Sequence, residues 1–251
     1  MADVSMWRIA VFGLLVQPAV FAGQAYVGKS SFVSPYATQA VTADGKFFYA
    51  VSNRKIAKCD RAGGAELAVS EGPALHLNSA VISGGKIFCA HSNYPLKPEK
   101  GDLRVLDPET MKLTVFHEFA DPPGSLTWAL QKDGSWWCHF AHYGKENAKS
   151  VLVRYDGGWK ETGRWLYPEA FVKEWGSTSL SGAVWLGDVL LVTGHDKKSV
   201  YRLQVGEKIE WIGTVPSPFP GQGIAIDPET GGLVGIDRKR KTVIFAELEK
   251  E

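Results

Sequence analysis

Five of the six histidines in this 251-residue chain lie in short segments that also carry amides, hydroxyls and aromatic rings. His91-Ser-Asn-Tyr-Pro95, His139-Phe-Ala-His-Tyr143 and Thr193-Gly-His-Asp196 each follow a short apolar run, as does Gly235-Ile-Asp-Arg238, while His76-Leu-Asn-Ser79 precedes one. Ser125-Leu-Thr-Trp128, Ser179-Leu-Ser-Gly182 and Gly221-Gln-Gly223 open similar runs. Imidazoles titrate near neutrality, which makes His142 and His195 candidates for general acid and base, with Asp237 to orient a neighbouring ring. Arg238 offers a carboxylate or phosphate a bidentate grip. Trp128, Tyr94 and Tyr143 offer faces on which a sugar or other flat ring would stack. His76, Asn78, His91, Asn93, Ser181 and Gln222 complete the candidate ligand-binding set.

Other chemistries have less support. The chain has no G-x-S-x-G elbow, no H-E-x-x-H and no phosphate loop, so nucleophilic hydrolysis by a known triad is unsupported. Asp196 and Asp237 are the only acids in these segments, which argues against a paired-carboxylate glycosidase. No cofactor is required. Two Asn, two His and one Asp around an axis would accept a divalent ion, although Ca²⁺ usually draws more carboxylates and structural Zn²⁺ prefers His and Cys. Taken singly, Asn, Asp, Ser and His at strand ends are most often turn formers that satisfy local backbone groups.

The elements that must position these residues are repeated hairpins. Gln222 to Arg238 reads strand, turn, strand, with Asp-Pro-Glu-Thr-Gly-Gly as its turn, and residues 39–53, 78–93, 127–142 and 181–195 repeat the phrase. Each copy extends into two further strands except the fifth, which has only Lys241 to Glu249. The missing strand is at the other end, where Tyr26 to Val41 echoes Trp211 to Ile226. The sequence therefore predicts an all-β, five-bladed propeller of four-stranded antiparallel blades, with Tyr26 to Val33 pairing with Thr242 to Leu248 to close the ring. Corresponding residues Asn53, Asn93, His142, His195 and Asp237 are spaced by 40, 49, 53 and 42 residues. In a propeller the first strand starts and the second strand ends on one face near the axis, so these five are expected to ring one mouth of the channel, with His76, Trp128, Ser181 and Gln222 beside them. The turns of the opposite face, such as Asp44-Gly-Lys and Gly84-Gly-Lys, are plain hairpin chemistry. One short helix is expected near Pro168 to Trp175.

Composition agrees with a single β-rich domain over residues 26–251: 45% hydrophobic, 22% charged and 12% aromatic. A net charge of +1, with Arg238-Lys-Arg-Lys241 as the densest basic cluster, excludes the electrostatic footprint of a nucleic-acid binder. Residues 1–25 read as a secretory signal: Arg8, an apolar run through Val16, a Gln17-Pro18 break, and small residues inviting cleavage after Ala22 or Ala25, with Met6 as an alternative start. The run is too short to span a bilayer, so a secreted or periplasmic mature chain without a membrane span is expected, as a monomer. Cys59, Cys89 and Cys138 are an odd number, and the last two occupy equivalent repeat positions, so all three are expected as small buried hydrophobes.

The phrases HLNSA, HSNYP, GSLTWA, WWCHFAHYG, GRWLYP, SLSGAVW, LLVTGHD and GQGIAIDPETGGLVGIDR resemble a group of bacterial exported proteins, frequent in planctomycete-like genomes, often labelled cycloisomerase. The resemblance spans nearly all of the mature chain and implies a small secreted propeller. In rhythm the last blade also resembles lactonase and strictosidine-synthase propellers, but those have six blades and carboxylate-rich metal sites, and this chain departs on both counts. Glutamine cyclotransferase and olfactomedin domains have five blades, without a residue-level match. Two functions stay open: an enzyme acting by proton transfer on a small carbohydrate or organic acid, of isomerase, lyase or lactonase type, or a non-catalytic propeller that binds a glycan or a protein.

Overall fold

The computed structural model describes residues 19–20 and 23–250. The expected signal segment lies outside the described residues except for Ala19–Val20 and residues 23–25. Ala19–Val20 (β1) pairs in parallel with Gly213 and Thr214 on the outer edge of blade IV. Gln24–Val33 (β2) is the closing strand.

Five antiparallel sheets form the blades. Blade I holds β3 (Ala40–Ala43), β4 (Phe47–Val51), β5 (Ile56–Asp60) and β6 (Glu66–Val69). Blade II holds β7 (His76–Ser83), β8 (Lys86–Ser92), β9 (Gly101–Leu106) and β10 (Leu113–Phe119). Blade III holds β11 (Ser125–Lys132), β12 (Ser135–Ala141), β13 (Val151–Tyr155) and β14 (Glu161–Leu166). Blade IV holds β15 (Gly182–Leu186), β16 (Val189–Thr193), β17 (Ser199–Val205) and β18 (Ile209–Pro216). Blade V holds β19 (Ala225–Ile226), β20 (Leu233–Asp237) and β21 (Thr242–Lys250), completed by β2. The closing register runs from Tyr26 opposite Leu248 to Val33 opposite Thr242, the pairing expected from the repeat. The helix α1 (Glu169–Trp175) is also where the sequence puts it.

No single central core exists. Five apolar clusters each occupy the wedge between two neighbouring blades, and the second strands feed two wedges at once. On β12, Trp136, Cys138 and Phe140 enter the wedge toward blade II, while Trp137 enters the wedge toward blade IV. A strand covered on both sides needs apolar residues at every position, which explains the unbroken runs in these second strands. Cys89 and Cys138 each face the wedge toward the preceding blade, and all three cysteines are free and buried. Burial pushes the Cys59 thiol up to about 11, and burial likewise raises Cys89, to about 12, and Cys138. None of them is a nucleophile at neutral pH.

Near the axis, hydrogen bonds stitch each blade to the next around the whole ring. Leu77 N–H donates to the Asn53 carbonyl at 2.8 Å, Asn78 Nδ2 to the Leu126 carbonyl at 2.8 Å and Thr127 Oγ1 to the Leu180 carbonyl at 2.8 Å. Thr193 Oγ1 donates to the Gln222 carbonyl at 2.5 Å, and Gly223 N–H closes the circle on the Gln39 carbonyl at 2.9 Å. The strand starts crowd at this level: a Cβ on Gly223 would lie 2.4 Å from Ala40 Cβ in blade I and 3.1 Å from Ser79 Oγ in blade II, so only glycine fits.

Candidate functional site

The sequence places its candidate residues on one face of the disc, and the structure sorts them into three groups. The first group is structural. Trp128 is fully buried, its ring stacked on His139 with centroids 5.3 Å apart, so it has no face to offer a ligand. Asn78 spends its amide on the stitch to blade III. His91 accepts from Leu75 N–H through Nε2 at 2.9 Å, so its proton sits on Nδ1, which faces Asp102 at 2.8 Å. Burial alone would raise the Asp102 carboxyl, but hydrogen bonds from His91 and Arg104 outweigh it and hold the group below the usual range. Arg104 also donates to the Pro73 carbonyl at 3.2 Å, so this trio clamps the loop that leads into His76.

Asp237 does not orient an imidazole. Its Oδ1 caps the turn by accepting from Lys239 and Arg240 N–H groups, and its Oδ2 pairs with the Arg240 side chain at 3.2 Å. Asn93 is similarly a turn former, bonded to Lys100 N–H and the Pro98 carbonyl. Asn53 accepts from Gln39. Ser181 is half-buried and is held by its backbone amide to Thr193. The expected ring of five side chains around an open mouth is therefore corrected. Asn53, Asn93 and Asp237 are engaged in local turn contacts, whereas His142 and His195 fall into two separate groups.

A second group brings an imidazole, a carboxylate and a guanidinium together. His195 Nδ1 lies 2.5 Å from Asp196 Oδ2, and its Nε2 lies 2.9 Å from Arg238 Nη1. A guanidinium can only donate, so Nε2 accepts and the imidazole proton is on Nδ1, toward the carboxylate. The orienting acid is thus Asp196, the next residue in the chain, rather than Asp237. Gln222 holds the loop in place. Its N–H bonds the Gly194 carbonyl at 3.0 Å and its Nε2 the His195 carbonyl at 2.9 Å, with a left-handed φ of 72° that a non-glycine residue adopts only when its surroundings impose it. His76 lies nearby, its pKa lowered by burial and, to a lesser extent, by the charges of His91 and Arg238.

The third group lines a cleft of about 350 Å³ between blades II and III, with Asn93, Tyr94, Ser125, His142 and Tyr143 in its walls. His76, Tyr94 and Tyr143 form a row, with centroids 5.4 and 5.2 Å apart. His142 donates from Nε2 to the Pro123 carbonyl at 2.6 Å, which leaves its Nδ1 as an acceptor without a partner among the described residues. Gly124 makes room for it, since a Cβ there would lie 3.2 Å from His142 Nε2. Burial pushes the Tyr143 phenol up to about 12, against the opposing pull of the Ser125 hydroxyl.

Sequence reasoning missed Asp196 as the orienting acid and the buried line behind the cleft. Tyr167 Oη lies 2.8 Å from His139 Nδ1, and His139 Nε2 lies 3.0 Å from Ser179 Oγ, which leads to Ser150 and the His142 backbone. Among the described residues no three His, Cys, Asp or Glu side chains are grouped to hold a metal. No described helix is long and apolar enough to cross a membrane.

No protein-family model and no curated protein matches the chain. Among solved structures, the glutaminyl cyclase of Myxococcus xanthus superimposes with a TM-score of 0.65 at 8% identity, covering 94% of this chain and 100% of that one. A computationally designed protein, Ika8, gives 0.40 at 9% identity over 82% of this chain and 57% of its own. A chain of the mitotic checkpoint complex gives 0.49 at 8% identity over 98% of both. At such identity the first likeness is one of fold, and the other two carry no argument. The chain is a five-bladed β-propeller.

Proposed function

We propose that this propeller is an exported enzyme that moves a proton on a small organic acid or acidic carbohydrate, in an isomerase, lyase or lactonase type of reaction, at the corner formed by Arg238 and His195. The observation that carries this reading is the Asp196–His195–Arg238 line, which sets a base oriented by a carboxylate against a group built to grip an anion. In the free protein the guanidinium occupies the lone pair of Nε2. An arriving carboxylate competes for the guanidinium, frees Nε2 and lies beside it. Nε2 then takes a proton from the carbon next to the carboxylate, and the imidazolium that forms faces Asp196. His76, whose pKa is lowered, stays neutral at neutral pH and adds no competing charge.

The fold is one that an enzyme, the M. xanthus glutaminyl cyclase, also uses. The resemblance to exported bacterial proteins implies a small secreted propeller. Export rests on the Arg8-to-Ala25 pattern. Either cleavage removes the two-residue β1, but cleavage after Ala22 keeps β2 whole, whereas cleavage after Ala25 also removes Gln24 and Ala25 from their pairs with Lys250 and Glu249. N-terminal sequencing of the exported protein should therefore begin at Gly23; a start at Tyr26 contradicts this.

The test is kinetic. Against a panel of hydroxy acids and lactones, Arg238→Ala should raise KM at least tenfold, and His195→Gln should lower kcat by roughly 10²–10⁴-fold, the range for a general base. Equal activity of both variants and the wild type sinks the reading. The tyrosine pair around the 350 Å³ cleft favours a second reading, a non-catalytic glycan-binding propeller working through Tyr94 and Tyr143. Oligosaccharide binding that survives loss of both His142 and His195 supports that alternative.

A further inference from the structure

The end of the axis opposite the histidines, where the sequence shows only hairpin turns, holds a cavity of about 420 Å³. Consecutive residues from all five inner strands wall it, and its surface is apolar: Val81, Ile82, Leu130, Val184, Trp185 and Ile226. Leu130 and Val184 are buried, whereas the other four remain half-exposed to the hollow. On the histidine side the strand starts crowd together, a Cβ on Gly223 lying 2.4 Å from Ala40 Cβ.

Its rim is polar and tied together. Ser83 Oγ donates to Gln131 Oε1 at 2.5 Å, linking the tips of blades II and III. Lys132 Nζ donates to the Gly187 carbonyl at 2.8 Å and to Asp188 at 2.6 Å, linking III and IV. Arg61 pairs with Asp227 at 2.7 Å, linking I and V. Asp44 is the only titratable residue in the wall, and it is occupied: Oδ1 accepts from Lys46 and Phe47 N–H groups and Oδ2 from the Tyr49 hydroxyl. An anionic ligand would find no counter-charge among the wall residues. The Trp185 ring packs edge-on against Trp137 and under Lys132, which fixes it in the wall. An apolar hollow of this size with a fixed polar rim has the build of a small-molecule site.

We propose that this hollow is a second ligand site, for a neutral, mostly apolar molecule about the size of a two-ring aromatic. It is independent of the Arg238–His195 site on the other face. The test uses prodan, a neutral naphthyl ketone whose emission shifts to the blue in apolar surroundings. Prodan should bind the purified protein saturably, one to one, with a blue shift. Ile82→Lys and Ile226→Lys, each bringing a charge to the hollow, should weaken binding at least tenfold in protein that still unfolds cooperatively. His195→Gln and Arg238→Ala should leave prodan binding unchanged even if they abolish turnover. In the unmutated protein, methyl NMR should show shifts at Val81, Ile82, Val184 and Ile226 when prodan is added. Non-saturable binding, full affinity in both lysine variants, or unmoved methyl signals would overturn the proposal.

Discussion

At the scale of single residues, the same side-chain type serves opposite ends. His139 is fully buried between Trp128, Tyr167 and Ser179, and burial, with a smaller contribution from His142, drives its pKa from 6.5 down to about 3. In the folded protein it therefore stays neutral where the unfolded chain takes up a proton. Its contribution to stability is complete above pH 6.5 and is lost as pH falls, by about 1.4 kcal/mol per unit, toward pH 3. His76 and His117 are lowered too and act in the same sense, while the lowered carboxylates Asp102 and Asp227 act only below about pH 4. Between pH 6.5 and 4.5, denaturant unfolding should show a shallower loss of stability in His139→Gln than in the wild type, whatever the cost of the substitution at pH 8. Parallel profiles contradict this assignment. His139 and His142 sit three residues apart in one segment, and their types alone do not tell them apart. What separates them is which side of β12 faces the wedge holding α1, a packing fact that only the structure supplies.

At the scale of elements, most of the molecule was legible. Turn chemistry and apolar runs place the hairpins, and the matched phrases at the two ends of the chain predict the pairing of β2 with β21. The stitches between blades were not legible. Asn78, Thr127 and Thr193 stand at strand starts and ends where a pocket residue would also stand, and their acceptors are carbonyls of a neighbouring blade 29 to 53 residues away. Such pairs exist only once the ring closes. The closing strand should therefore be indispensable, since without it β21 is a bare edge over an uncovered apolar row. Deleting residues 26–36 should abolish cooperative thermal unfolding. A truncated protein that melts at the wild-type temperature contradicts the closure argument.

At the scale of the whole molecule, the two faces are built differently. The ring buries its apolar residues in five wedges, so the axis contributes little to the core and is left hollow at one end. The composition of the strand ends showed which face carries imidazole and guanidinium groups, but not which of those residues are spent on turns and on bonds between blades. The proposed chemistry lies on the 194–196 loop held by Gln222, next to Arg238. The central claim is that His195 moves a proton there. It is tested most directly by incubating the protein in deuterium oxide with small hydroxy acids and following the carbon-bound hydrogen next to the carboxylate by proton NMR. The account predicts that this signal disappears for at least one acid with the wild type and persists with His195→Gln. Exchange that continues undiminished in His195→Gln would contradict it.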